Sequence, residues 1–200
     1  MPVCEEGCLS QFGDQKINLV AIEGLIRRRL LQLARAAFDA SVRKEKSPVV
    51  PRDIAVKAFG VFVTVHHRRD LRGCLGSLDC ADTVIESLLR LAASVAHEDY
   101  RFRPIAIHEL AYTLLDVSML TPPQRVNDHS MIEVGRHGLI IEQGTHRGLL
   151  LPQVAPEHGW DRETFLAHTC IKAGLPRTAW MRGASLFCFE AEVFGEHEPE

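Results

Sequence analysis

Arg72-Gly73-Cys74-Leu75-Gly76-Ser77 is the stretch of the 200-residue chain whose residue types most suggest chemistry. Two glycines inside a strand-like run each sacrifice about 0.5–1 kcal/mol and add no packing surface, so something should approach the backbone there. A ligand is one candidate. Strand alternation puts Arg72 and Cys74 on one face, where a guanidinium lowers a thiol pKa. Cys74 is then a candidate nucleophile, Arg72 its thiolate stabiliser, and Gly73, Gly76 and Ser77 a candidate substrate-binding surface. The same residues also fit a bulge with an inert, buried Cys74 and an Arg72 paired to a carboxylate.

Gly135-Arg136-His137-Gly138 is the second constellation. An imidazole between glycines can approach a thiol as its base, and Arg136 can hold an anionic substrate group. A turn histidine bonded only to water or a carbonyl is the plainer alternative. Metal chemistry has little support: His66 and His67 face opposite sides of a strand, and His168 and Cys170 diverge on a helix. No metal or cofactor is expected. Cys4 and Cys8 have the first interval of a radical-SAM cluster motif, but Gln11 stands where its third cysteine would fall. P-loop, dinucleotide-binding, zinc-protease and serine-hydrolase signatures are absent. Gly73-x-x-Gly76 and Gly135-x-x-Gly138 have the spacing of a KH clamp without the helical flanks it needs.

These side chains need a frame. Ile22, Ile26, Leu30, Leu33 and Ala37 form one face of a helix beginning near Asn18, whose Arg27-Arg28-Arg29 reads as the wet side. Residues 60–66 and 71–77 make a hairpin around Arg68-Arg69-Asp70. Asp82 or Thr83 caps the next helix, with Glu86 completing a capping box and the helix ending near His97. Residues 99–104 form a charged loop. Thr113, Leu115, Val117 and Met119 alternate as a strand stopped by Pro122-Pro123. A second hairpin joins 139–142 to 145–151. Asp161 caps a helix that Gly174 and Pro176 end, with Trp160 as a hydrophobic staple. The last strand puts Phe187, Phe189, Ala191 and Val193 on one face, Glu190 and Glu192 on the other. This order has too few βαβ units for a parallel sheet and predicts an α+β fold, a mostly antiparallel sheet flanked by helices.

With 46% apolar and 24% charged residues the chain reads as one globular domain. A net charge of −3 gives no global attraction to phosphate, so nucleic acid is an unlikely partner and any basic patch must be local. The acidic start and the lack of a long apolar run argue against export and a membrane span. The expectation is a cytoplasmic protein whose six cysteines are reduced.

Leu71-Arg72-Gly73-Cys74-Leu75-Gly76-Ser77, Gly135-Arg136-His137-Gly138-Leu139, Arg147 to Ala155 and Lys172-Ala173-Gly174-Leu175 together resemble the AMMECR domain family, whose prokaryotic members are called AmmeMemoRadiSam system protein A. The resemblance spans 18–196, leaving residues 1–17 as an N-terminal arm and 197–200 as a tail. It implies a larger lobe built from both chain ends, a smaller lobe, and the signature hexapeptide near a cleft. It also implies association with a Memo-type protein and a radical-SAM protein, without an established reaction or substrate. Leu75 and Ser77 stand where the family usually has isoleucine and threonine, and Tyr100 where it has proline. Two functions are open: a thiol enzyme using Cys74, His137 and Arg72 on a small or peptide-borne electrophile, or a non-catalytic component that recognises a partner or its substrate. Nucleic-acid association is a weaker third.

Overall fold

The computed structural model describes residues 24–196 except 52, 55, 69 and 79–82. Helix α1 (Gly24–Arg43) leads to the hairpin β1 (Gly60–His67) and β2 (Asp70–Ser77), then helix α2 (Val84–Ser94) and strand β3 (Thr113–Leu120). The short β4 (Gln124–Arg125) precedes a second hairpin, β5 (His137–Gln143) and β6 (His146–Leu150). A one-turn helix α3 (Val154–Glu157), helix α4 (Arg162–Lys172) and the long strand β7 (Ser185–Gly195) complete the chain. The sheet is antiparallel, in the order β2-β1-β3-β7-β5-β6, with β4 also on β7. The α+β expectation is met.

Strand β7 makes one sheet serve two lobes. Its C-terminal half pairs with β3 from Ala191 to Gly195, and its N-terminal half pairs with β5 from Ser185 to Glu190. In the larger lobe α1 and α2 cover the faces of β1 and β3, burying Leu30, Ala34, Phe38, Leu88, Val63 and Val117. Each of the larger side chains among these contributes about 1.5–3 kcal/mol of transfer free energy, which is what docks the helices. Both ends of the described chain meet here: Glu196 accepts from Arg35 of α1 and from the Leu115 N–H of β3. In the smaller lobe α4 buries Phe165, Leu166 and Cys170 against Leu139, Ile141 and Leu186. A third cluster, Phe59, Leu120, Ile140 and Phe189, covers the sheet face opposite the helices.

Local signals place the helices well. Thr83 and Glu86 form the reciprocal capping box, Asp161 accepts from the Thr164 N–H, and Gly174 takes the left-handed φ of 73° that stops α4. Trp160 packs on α4 by stacking against His168. Three expectations change. Helix α2 ends at Ser94, with residues 95–97 as a turn. Strand β7 is covered on both faces, since Leu186 and Phe194 join the helix-side cores while Val193 is exposed. Arg27 and Arg29 are not simply solvated: they pair with Glu192 and Asp53. The expected helix start near Asn18 and the residues Ile22, Cys4, Cys8, Cys80 and Asp82 lie outside the described residues, as do 1–17 and 197–200.

Candidate functional site

The Arg-Gly-Cys strand β2 is an edge strand, so its outward N–H and C=O groups need partners from elsewhere. The loop after α2 supplies them. The Cys74 N–H donates to Asp99 Oδ2 at 2.8 Å, and Arg101 Nη2 donates to the Cys74 carbonyl at 3.4 Å. Asp99 is only 4% exposed and is bonded to Arg101 Nη2 at 2.7 Å. The Arg101 guanidinium, with the Cys74 and Arg101 N–H groups, outweighs burial and holds the Asp99 carboxyl down at about 2. The carboxylate in turn raises Arg101 above its usual value, and Arg101 also lies within electrostatic range of the Cys74 thiol.

Arg72 makes the second set of stitches. A bulge opposite Val65 and His66 leaves Arg72 without a Cα partner on β1. Its Nε donates to Glu109 at 2.9 Å and its Nη1 to the Arg103 carbonyl at 2.8 Å, with a longer bond to the Pro104 carbonyl. Burial opposes the Glu109 charge, but Arg72 and the Ala106 N–H overcome it and keep Glu109 below the ordinary carboxylate range. The Arg72 guanidinium is thus committed to Glu109 and two main-chain carbonyls. The carboxylate-paired bulge is what forms, although Cys74 stays half-buried, and its Sγ accepts from Thr64 Oγ1 at 3.3 Å.

The glycines have protein neighbours. A Cβ at Gly73 would sit 3.1 Å from Val95, and one at Gly76 would run into the ring of Phe62. The close approach that Gly76 permits is thus made by an aromatic ring of β1. Ser77 ends the strand opposite Val61.

His137 is not brought to Cys74. The two residues sit four strands apart, about 19 Å along the sheet at roughly 4.8 Å per step. They also point to opposite faces: His137 shares its side with Leu139 and the α4 core, whereas Cys74 shares its side with Phe62. His137 Nδ1 accepts from the Glu133 N–H at 3.0 Å. Arg136 is held by Glu190 at 2.9 Å and Glu133 at 3.1 Å, and these two carboxylates raise its pKa. A Cβ at Gly138 would strike the Phe189 ring.

What β2 and its stitched loop do build is a cleft of about 810 Å³ at the turn end of the first hairpin. Among the described residues four guanidiniums line it, Arg68, Arg72, Arg101 and Arg103, with His67, His108, Phe102 and Tyr112, against the single carboxylate of Glu109. Arg68 adopts φ of 51°, a region few non-glycine residues enter, while its N–H donates to the Tyr112 carbonyl. Its guanidinium lies 4.9 Å from the Tyr112 ring centroid. Among the described residues neither Arg68 nor Arg103 has a carboxylate partner. Residues 99–104 and 68–70 read in sequence as a charged loop and a polar turn; the alternation of aromatic and arginine in Tyr100-Arg101-Phe102-Arg103 is the available signal.

Fold and site define a two-lobed α+β domain whose signature strand holds an arginine-lined cleft in shape. The AMMECR1 family profile matches residues 31–194. A protein of Methanosarcina mazei is 40% identical over 184 residues, covering 86% of this chain and 92% of its own. Protein MJ0810 of Methanocaldococcus jannaschii is 46% identical over 149 residues, covering 70% and 74%. The crystal structure of the uncharacterised protein PH0010 from Pyrococcus horikoshii has 38% identity and a TM-score of 0.77, over 86% of this chain and 91% of that one. The chain belongs to the AMMECR1 family. Among the described residues, no helix is long and apolar enough to cross a membrane.

Proposed function

We propose that this protein is a non-catalytic binding component, acting in the cytoplasm beside a Memo-type protein and a radical-SAM protein and recognising an anionic group of a partner or of its substrate. The observation that carries the reading is the cleft itself: among the described residues four guanidiniums line it, Arg72 and Arg101 paired to Glu109 and Asp99, Arg68 and Arg103 without a carboxylate, in a chain whose overall charge is −3. Positive charge concentrated in a concave site selects and steers anions. The signature hexapeptide supports it as a frame: Arg72 through its side chain and Cys74 through its main chain fasten the loop that carries Arg101 and Arg103. A thiol-nucleophile enzyme has weaker support, because a base within hydrogen-bond reach of the thiol is what that chemistry needs, and His137 faces the other way.

The test uses the purified Memo-type and radical-SAM proteins of the same genome in pull-downs, with complementation of a deletion strain. Cys74→Ser should bind and complement like the parent. Arg68→Glu with Arg103→Glu should lose both. A Cys74→Ser protein that binds its partner but fails to complement would overturn the non-catalytic reading.

A further inference from the structure

The four cleft arginines are not equivalent. Arg72 is neutralised by Glu109 and Arg101 by Asp99, so each ends as a fixed, oriented donor with little net charge. Arg68 and Arg103 are exposed and lack acidic partners among the described residues. Among the described residues the cleft therefore presents close to two uncompensated positive charges. A phosphomonoester carries about −1.5 to −2 at pH 7, and a guanidinium fork matches its oxygens bidentately. An extended polyanion fits poorly, because these charges lie inside one concave site on an otherwise acidic protein.

The volume says the ligand is more than its phosphate. About 810 Å³ is within the usual range for a drug-sized ligand and far exceeds one inorganic anion. The remaining wall is flat and apolar: Tyr112 is 53% exposed, and Phe102, Pro104 and Ala106 lie beside it. Arg68 already lies over Tyr112, and His67 meets that ring edge-on at 6.1 Å. Tyrosine rings and guanidinium planes are the surfaces on which planar bases stack. We infer that the cleft binds a small phosphomonoester bearing a flat ring, the chemical class of a nucleoside monophosphate, with its phosphate between Arg68 and Arg103 and its ring along Tyr112. This rests on the binding reading above and specifies its ligand.

Calorimetric titration of the full chain at fixed ionic strength tests it, using AMP and UMP, ribose 5-phosphate, adenosine, and an oligonucleotide without a terminal phosphate. At least one nucleotide should bind, ribose 5-phosphate more weakly, and adenosine not measurably. Arg68→Ala and Arg103→Ala should each weaken nucleotide binding about tenfold, the scale of one charge-assisted contact. Tyr112→Ala should weaken the nucleotide about fivefold, the scale of one stacking contact, and leave ribose 5-phosphate unchanged. The inference is overturned if neither nucleotide binds, if ribose 5-phosphate binds as tightly, if both arginine variants bind like the parent, or if the oligonucleotide binds as tightly with steep salt dependence. Should nucleotides fail while Arg68→Glu with Arg103→Glu still loses the protein partner, only the ligand class falls. Should that charge reversal also leave partner binding intact, the binding reading falls with it.

Discussion

Residues 72–77 and 135–138 look like twins in sequence, each with two glycines three apart, a potentially reactive side chain between them and an arginine beside it, yet the fold treats their charges in opposite ways. Around β2 the arginines gather on one cavity, and two of the four have no carboxylate among the described residues. Around β5 Arg136 lies between Glu133 and Glu190, and its charge is cancelled at the surface. The glycines do behave alike: Gly76 lies under Phe62 and Gly138 under Phe189. The second glycine of each pair therefore reports aromatic packing, whereas Gly73 meets Val95 and Gly135 takes a left-handed φ of 89° beside Pro156. What separates a site from a structural turn is the balance of charge left over after local pairing.

The largest expected effect is at Asp99. Asp99→Ala removes a buried carboxylate, strands the Cys74 N–H and frees Arg101, and should cost about 3 kcal/mol. Thermal unfolding should then shift down by roughly 6–12 °C. An unchanged midpoint would mean that the loop is not fastened to β2 as described. Next come Gly76→Ala and Gly138→Ala, each expected to lose about 1–3 kcal/mol by overpacking against its phenylalanine. Urea midpoints of the two should fall together, and Phe62→Leu and Phe189→Leu should each relieve the matching glycine variant. A large loss at one position and none at the other would break the parallel.

Acid stability gives a third, smaller contrast. Asp99 titrates near 2 in the folded protein against its ordinary 3.8, so it stabilises the fold above about pH 4 and that contribution is lost as pH falls toward 2. The loss amounts to about 2 kcal/mol at 1.36 kcal/mol per pKa unit. Asp99→Asn should flatten this part of the acid limb in pH-dependent urea unfolding; an unaltered limb would remove Asp99 from the account. Smallest of all is Arg136→Ala, expected to leave the urea midpoint at the parent's value because exposed ion pairs contribute little. A large drop there would show that its surface pairs matter far more than those of an ordinary turn.

The parts legible in sequence are those set by neighbours along the chain. Thr83 and Glu86 cap a helix from three residues apart, and Gly174 ends another at its own φ. The frame of the cleft depends on partners brought close by topology: Cys74 meets Asp99 across 25 residues, and Arg72 meets Glu109 across 37. Read locally, residues 99–104 are a solvated loop, since nothing in their own spacing reveals the open edge of β2. The separation of Cys74 from His137 is hidden for the related reason that face and strand order are properties of the assembled sheet. Arg101 is hidden in the sequence because Arg72, only two residues from Cys74, is the nearer cation along the chain.

The signature strand serves its cleft by positioning guanidiniums, and the side-chain NMR signals of the arginine Nε–H groups report this during titration with inorganic phosphate. Arg68 and Arg103 should shift saturably, Arg136 should stay fixed, and Cys74→Ser should reproduce the parent curve. Equal shifts at Arg136, or a curve abolished by Cys74→Ser, would contradict the account.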